Sequence, residues 1–199
     1  MSVFNLNTQN HNLDSKIVAG LERLTLAFKT LLWDKAKEYG LSPIQIQVLI
    51  FIHYHTTEKT TVSYLAKEFN ITKATISDAV KVMEQKGLIE KKGSGKDTRS
   101  YTMTLSDAGL MIVKSTENYP EPLTGIVSGF DVHDKLALWN SIVSLIIQLN
   151  KTNIISIQRT CSNCRYFELT NNGFYCHLLD KPLHTADIRI DCPEFDAAS

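Results

Sequence analysis

Three things are missing from this chain of 199 residues: net charge, an apolar stretch long enough to cross a bilayer and, before Cys161, any cysteine. Lysine plus arginine number 21, as do aspartate plus glutamate, so overall charge points to no class of partner. The longest uncharged apolar run, Trp139 to Asn150, contains Asn, Ser and Gln. It falls short of the roughly 20 apolar residues a membrane helix needs. Met1 to Leu13 is polar and Asn-rich, without the apolar centre of a secretory leader. A soluble, cytoplasmic protein with no membrane partner is therefore expected. No nucleophile–base set and no phosphate loop appears. Gly93-x-Gly95 lacks both the strand-to-helix setting and the third glycine of a dinucleotide site, so no enzyme is expected.

The charges that cancel overall are unevenly placed. From Lys59 to Thr104 there are nine Lys and Arg against five acids, and from Thr160 to Ser199 three against six. A basic middle and an acidic end suit a nucleic-acid-binding module that carries a separate appendage.

The middle is organised around Asn70 to Gly87. Thr72 fits an N-cap, Gly87 fits the left-handed position past the last turn, and Ile76, Ala79, Val80 and Met83 share one face. Lys73, Thr75, Ser77, Asp78 and Lys81 occupy the other, short hydroxyls and lysines able to meet phosphates and base edges. Upstream, Thr61 to Phe69 forms a short helix with Leu65, Ala66 and Phe69 inward, and Asn70-Ile71 is a tight connection. These are the proportions of a helix-turn-helix. Downstream, Leu88 to Lys92 reads as a strand, Gly93 to Asp97 as a turn, and Ser100 to Leu105 as a returning strand. The fold class is mainly α with a small β wing (α+β), a winged helix-turn-helix with flanking helices.

Six motifs occur in order: Leu41-Ser42-Pro43, Leu65-Ala66, Lys73-Ala74-Thr75-Ile76-Ser77, Lys86-Gly87-Leu88-Ile89, Asp97-x-Arg99 and Leu105-Ser106-x-x-Gly109. Over about residues 14 to 157 the chain thereby resembles the MarR family of bacterial transcription regulators. The resemblance implies a homodimer that reads pseudo-palindromic double-stranded DNA. Thr72, Lys73, Thr75 and Ser77 would enter a major groove, with Lys81 nearer the backbone. On the wing, Lys96, Asp97 and Arg99 join the DNA-binding set, Arg99 reaching the minor groove with Asp97 holding its guanidinium. Many relatives respond to a small-molecule effector between the dimer helices and the winged part. Trp33, His53, Tyr54, His55 and Tyr64 are aromatics available to such a cleft, although core or surface is their commoner place.

The flanks follow the same logic. Residues 1–13 read as a flexible arm. Asp14 or Ser15 can cap a helix to about Tyr39, and Ser42-Pro43 opens another to about His55. Ser106 starts a helix interrupted near Tyr119-Pro120-Glu121-Pro122, and Asp131 caps a last long one. The family implies dimerisation through helices at about 14–39 and 106–157, around a DNA-binding part at about 41–105.

Residues 158–199 leave the family pattern. Cys161-x-x-Cys164 is followed by Cys176 after eleven residues and by Cys192-Pro193 after fifteen more. Four thiolates suffice for one tetrahedral metal, and about forty residues without a long apolar pattern need such a source of stability. Zinc is placed ahead of a four-cysteine 4Fe-4S cluster, which the irregular spacing and the Cys-Pro step also fit. His177 and His184 remain substitutes for a cysteine. A zinc would make the tail structural, a cluster would make it sensory. Two other function classes stay open, a redox or iron–sulfur protein and a protein-interaction adaptor with the winged helix as scaffold.

Overall fold

The structure, a computed structural model, describes residues 2–93, 101–157, 159–171 and 173–198. Two short helices form its centre. α4 (Val62–Glu68) is capped by Thr61, whose hydroxyl accepts from the Tyr64 amide, and α5 (Lys73–Gln85) is capped by Thr72. Asn70, between them, takes φ 53°, a left-handed conformation that Asn tolerates better than most residues. Ile76, Ala79, Val80 and Met83 are the buried residues of α5, the same four that the sequence pattern turns inward. Complete burial of Ile76, Val80 and Met83 contributes about 1.5–3 kcal/mol each. Gly87, at φ 67°, then turns the chain out of the helix.

β1 (Ile89–Gly93) and β2 (Tyr101–Leu105) pair antiparallel with Ile89 opposite Leu105 and Gly93 opposite Tyr101. Gly93, expected in the turn, closes the first strand instead. The other expected turn residues, 94–97, lie outside the described residues. Buried Thr60 fastens the hairpin to the body: its hydroxyl accepts from the Met103 amide at 2.9 Å.

α3 (Pro43–Tyr54) runs through the core. Ile46, Val48, Leu49, Phe51 and Ile52 are buried beside Leu65 of α4, Ile76 and Val80 of α5, Met103 of β2 and Val113. α6 (Asp107–Thr116) carries Val113 and closes this core from the far side. Its start meets the backbone ahead of the wing so closely that a Cβ on Gly109 would lie 2.0 Å from the Leu88 carbonyl oxygen.

The outer helices behave differently. α1 (Leu6–His11), capped by Asn5, lies in the segment read as an arm. α2 (Leu13–Glu38) is capped by Asn12, which accepts from the Ser15 amide, and not by Asp14 or Ser15. Asn12, Asp14 and Ser15 all carry side chains able to cap, and the helix takes the earliest. α7 (Glu121–Ser128) follows the expected break, and α8 (Val132–Lys151) is capped by Asp131. Neither α7 nor α8 buries a residue, and α2 buries only Ser15, Leu32 and Ala36. Ile17, Leu24, Phe28, Ile126 and Val132 consequently stand exposed.

The tail forms a three-stranded antiparallel sheet of β3 (Phe167–Thr170), β4 (Gly173–Cys176) and β5 (Lys181–Leu183). Phe167 and Phe174 stack at 5.5 Å. The turn that follows β5 meets α8, where the Trp139 indole donates to the Thr185 carbonyl at 3.1 Å.

Candidate nucleic-acid interface and cysteine cleft

Thr72, Lys73, Thr75, Ser77 and Lys81 are all exposed on α5, opposite its buried stripe. The five are not equivalent. Thr72 Oγ1 accepts from the Thr75 amide at 3.1 Å and lies 2.9 Å from Thr75 Oγ1, so both threonine hydroxyls are engaged at the cap. Ser77 projects from the next turn, and Lys73 and Lys81 extend positive charge along the same helix. The unpaired amides of a helix start add to that charge in attracting phosphate. Lys86 acts within the fold, since its ammonium donates to the Gly40 carbonyl at 2.7 Å and ties α5 to the end of α2. Lys91 on β1 is held by Glu84 at 2.6 Å and lies over the Tyr101 ring. Lys96, Asp97 and Arg99 lie outside the described residues.

A cavity of about 600 Å³ opens between α2 and α3, lined by Phe28, Leu32, Trp33, Pro43, Ile44 and Tyr119. Of the five aromatics weighed for a cleft, only Trp33 lines it. His53 is exposed, and Tyr54 donates to Glu117. His55 and Tyr64 belong to a different assembly.

That assembly centres on Arg159, which is 6% exposed. Its guanidinium makes a two-pronged pair with Glu68 of α4, at 2.6 and 3.0 Å, and another with Asp191 of the tail, at 2.6 and 2.8 Å. A fifth bond reaches the Tyr64 hydroxyl at 2.9 Å. His55 Nε2 lies 3.0 Å from Asp191 Oδ2, and its ring stacks on Phe51 at 3.7 Å. Burial opposes ionisation of Asp191, but hydrogen bonds from Arg159 and His55 hold its carboxyl down at about 2. Burial likewise works against the Arg159 charge, and its two carboxylates outweigh that, raising it above the ordinary arginine range. Sequence reasoning misses Arg159, whose partners lie 32, 91 and 95 positions away, where no local pattern signals them.

Asp191 leads directly into the cysteines. Cys161, Cys176 and Cys192 line one cleft of about 280 Å³ together with Arg189 and Leu183. The Arg189 amide donates to Cys161 Sγ at 3.3 Å, and Arg189 Nη1 lies 3.6 Å from Cys192 Sγ. Burial pushes the Cys192 thiol up, against the pull of the Glu194 amide and Arg189. Cys164 follows Cys161 by one tight turn, its amide donating to the Cys161 carbonyl. All four are free thiols. Among the described residues no three of these sulfurs come within 4.8 Å of one another. The donor chemistry fits a soft metal, three of the four donors share the cleft, and their closure into one tetrahedron is not formed. His177 bonds to Glu168 at 2.6 Å, and His184 starts a short turn, so neither is among the residues lining the cleft.

Residues 39–100 match the model of the MarR family. Over 137 residues, 69% of this chain and 88% of the relative, the sequence is 26% identical to the organic hydroperoxide resistance transcriptional regulator of Bacillus subtilis (strain 168). The crystal structure of a Staphylococcus aureus MepR–DNA complex is similar with a TM-score of 0.57 at 20% identity, over 65% of this chain and 94% of that one. A MarR transcriptional regulator from Methanosarcina mazei Go1 is similar with a TM-score of 0.57 at 21% identity, over 70% and 98%. Streptococcus pneumoniae FabT in complex with DNA has a TM-score of 0.57 at 19% identity, over 69% and 97%. The family match covers about a third of the chain, and these neighbours share its fold. Each is covered nearly whole, while about a third of the present chain extends beyond it.

Proposed function

We propose that this chain is a MarR-type transcription regulator that binds double-stranded DNA as a homodimer and is not an enzyme. The observation that carries the reading is α5: an exposed row of Lys73, Ser77 and Lys81 backed by the buried Ile76, Val80 and Met83. That rigid backing lets the row enter a major groove without deforming the core. Two structural neighbours were solved with DNA. Two copies of α5 related by a two-fold axis would read half-sites about one helical turn apart. The exposed apolar side chains of α2, α7 and α8 support the dimer, since water-exposed Leu, Ile and Phe along three helices favour a partner surface. No helix among the described residues is long and apolar enough to cross a membrane. The cavity beside Trp33 is the place for a small-molecule effector.

In the tail, Cys161, Cys164, Cys176 and Cys192 would hold one metal, zinc by preference, with a 4Fe-4S cluster as the alternative. The metal would supply the cross-link that a small sheet of three- and four-residue strands lacks. The experiment combines metal content and an ultraviolet–visible spectrum of anaerobically purified protein with anisotropy titration of duplexes selected from a random-sequence pool. Enrichment of a two-fold-symmetric sequence by a dimer supports the regulator. Weak, salt-sensitive binding without sequence preference would instead favour an adaptor.

A further inference from the structure

Arg159 binds the cysteine tail to the helix-turn-helix from both sides. On one side its guanidinium grips Glu68 and Tyr64 of α4. On the other it grips Asp191, the residue before Cys192. The backbone repeats the connection: the Cys192 amide donates to the Arg159 carbonyl at 3.0 Å, and the Cys161 amide to the Arg189 carbonyl at 3.2 Å. Segments 159–161 and 189–192 are therefore laced together at both Arg159 and Cys161. Just before them, Ser156 Oγ donates to the Lys67 carbonyl at 2.6 Å, and Asn70 Nδ2 donates to the Ile154 carbonyl at 3.2 Å. Asn70 is the left-handed residue in the turn between α4 and α5.

These contacts leave little slack. A buried guanidinium that lost one of its two carboxylates would leave two N–H···O bonds unmade at a buried site, so the pairs hold or break together. Drawing Cys161 and Cys192 onto one metal moves the same two segments that carry Arg159 and Asp191. We infer that Arg159 is a positioning residue that couples occupation of the cysteine site to the attitude of α4 and α5, so that metal binding changes affinity for DNA. The inference rests on the metal reading of the tail given above.

Coupling between two binding sites is reciprocal, so DNA must change zinc affinity by the factor by which zinc changes DNA affinity. Full-length protein is stripped with a chelator and reloaded with zinc. Its affinity is then measured for a duplex selected from a random pool, and its zinc affinity by competition with and without that duplex. In the wild type we expect the two ratios to agree at about tenfold or more. In Arg159→Met both ratios should fall below about twofold while zinc stoichiometry is unchanged. Because that variant strands Glu68 and Asp191, Glu68→Gln serves beside it, keeping the side-chain shape and weakening only the α4 grip, with an intermediate ratio expected. A merely structural role would shift affinity equally in both metal states and leave the ratio alone. Wild-type ratios preserved in both variants, or zinc bound without any change in DNA affinity, overturn the coupling. Absence of zinc binding overturns the metal reading and the coupling with it, and stoichiometry distinguishes that case.

Discussion

Replacing Gly109 by alanine tests the joint between the wing and α6. In an ordinary helix the change is favourable, because alanine exceeds glycine by about 1 kcal/mol in helix propensity. Here the new Cβ would lie 2.0 Å from the Leu88 carbonyl oxygen and 3.0 Å from its carbon. Comfortable carbon–oxygen contact begins at about 3.3 Å, so the backbones must part by about 1.3 Å. The same joint holds the Ser106 amide on the Leu88 carbonyl at 3.1 Å, the Gly109 amide on Ser106 Oγ at 3.1 Å, and Ser106 Oγ on the Gly87 carbonyl at 2.6 Å. Overpacking of this kind costs about 1–3 kcal/mol, and weakening one of these bonds adds about 1 kcal/mol. The losses outweigh the propensity gain, and Gly109→Ala should be destabilised by about 1–3 kcal/mol. Each kcal/mol corresponds to about 2–4 °C in melting temperature at this chain length. Urea unfolding and thermal melting at one protein concentration would measure it. DNA affinity should fall in parallel, because Leu88 precedes β1 and any shift there re-aims the wing. A variant as stable as the wild type, or more so, would refute the close approach of α6 to Leu88.

Three further perturbations address the proposed regulator. Lys81→Ala should weaken binding to all duplexes alike and lower the slope of log affinity against log salt by about 1, since one phosphate contact is lost. Arg99→Ala should lose at least about tenfold in affinity for the selected duplex while the dimer stays folded, and an unchanged gel-shift titration would end its groove role. Leu24→Asp places a charge at a site 51% exposed on α2. The folded chain should tolerate it, but sedimentation should show the dimer reduced to monomer at micromolar concentration.

The helix-turn-helix is legible in the sequence because its signals are local. A threonine cap, four apolar residues at helical spacing and a glycine beyond them define α5, and each signal acts within a few residues of itself. The same holds for Asp131 at the start of α8 and for Pro120 and Pro122 at the start of α7. The start of α2 is misjudged where local signals compete. Asn12, Asp14 and Ser15 can each accept from a free amide, and composition alone does not order them. Residues 94–100, where Lys96, Asp97 and Arg99 fall, leave the wing tip as a reading of motif alone.

Around Arg159 the failure has a different cause. A bidentate pair with Glu68 requires α4 to pass the tail, and that is decided by how α8 and its linker return across the molecule. No periodicity encodes such a crossing. The tail strands are three or four residues long, too short for alternation to stand out, and their register is fixed by pairs such as Phe174 with Leu183. The cysteine spacing is legible, but only as a donor set. Which helix that donor set is tied to emerges from three-dimensional placement, and the tie runs to α4 of the helix-turn-helix through a buried, doubly paired charge. Buried ion pairs are often matched in stability by apolar packing of equal volume. Stability alone therefore gives little reason for an arginine at this position. Its value lies in geometry: a guanidinium held by two forks fixes the angle between two segments, which an apolar contact would leave free to slide.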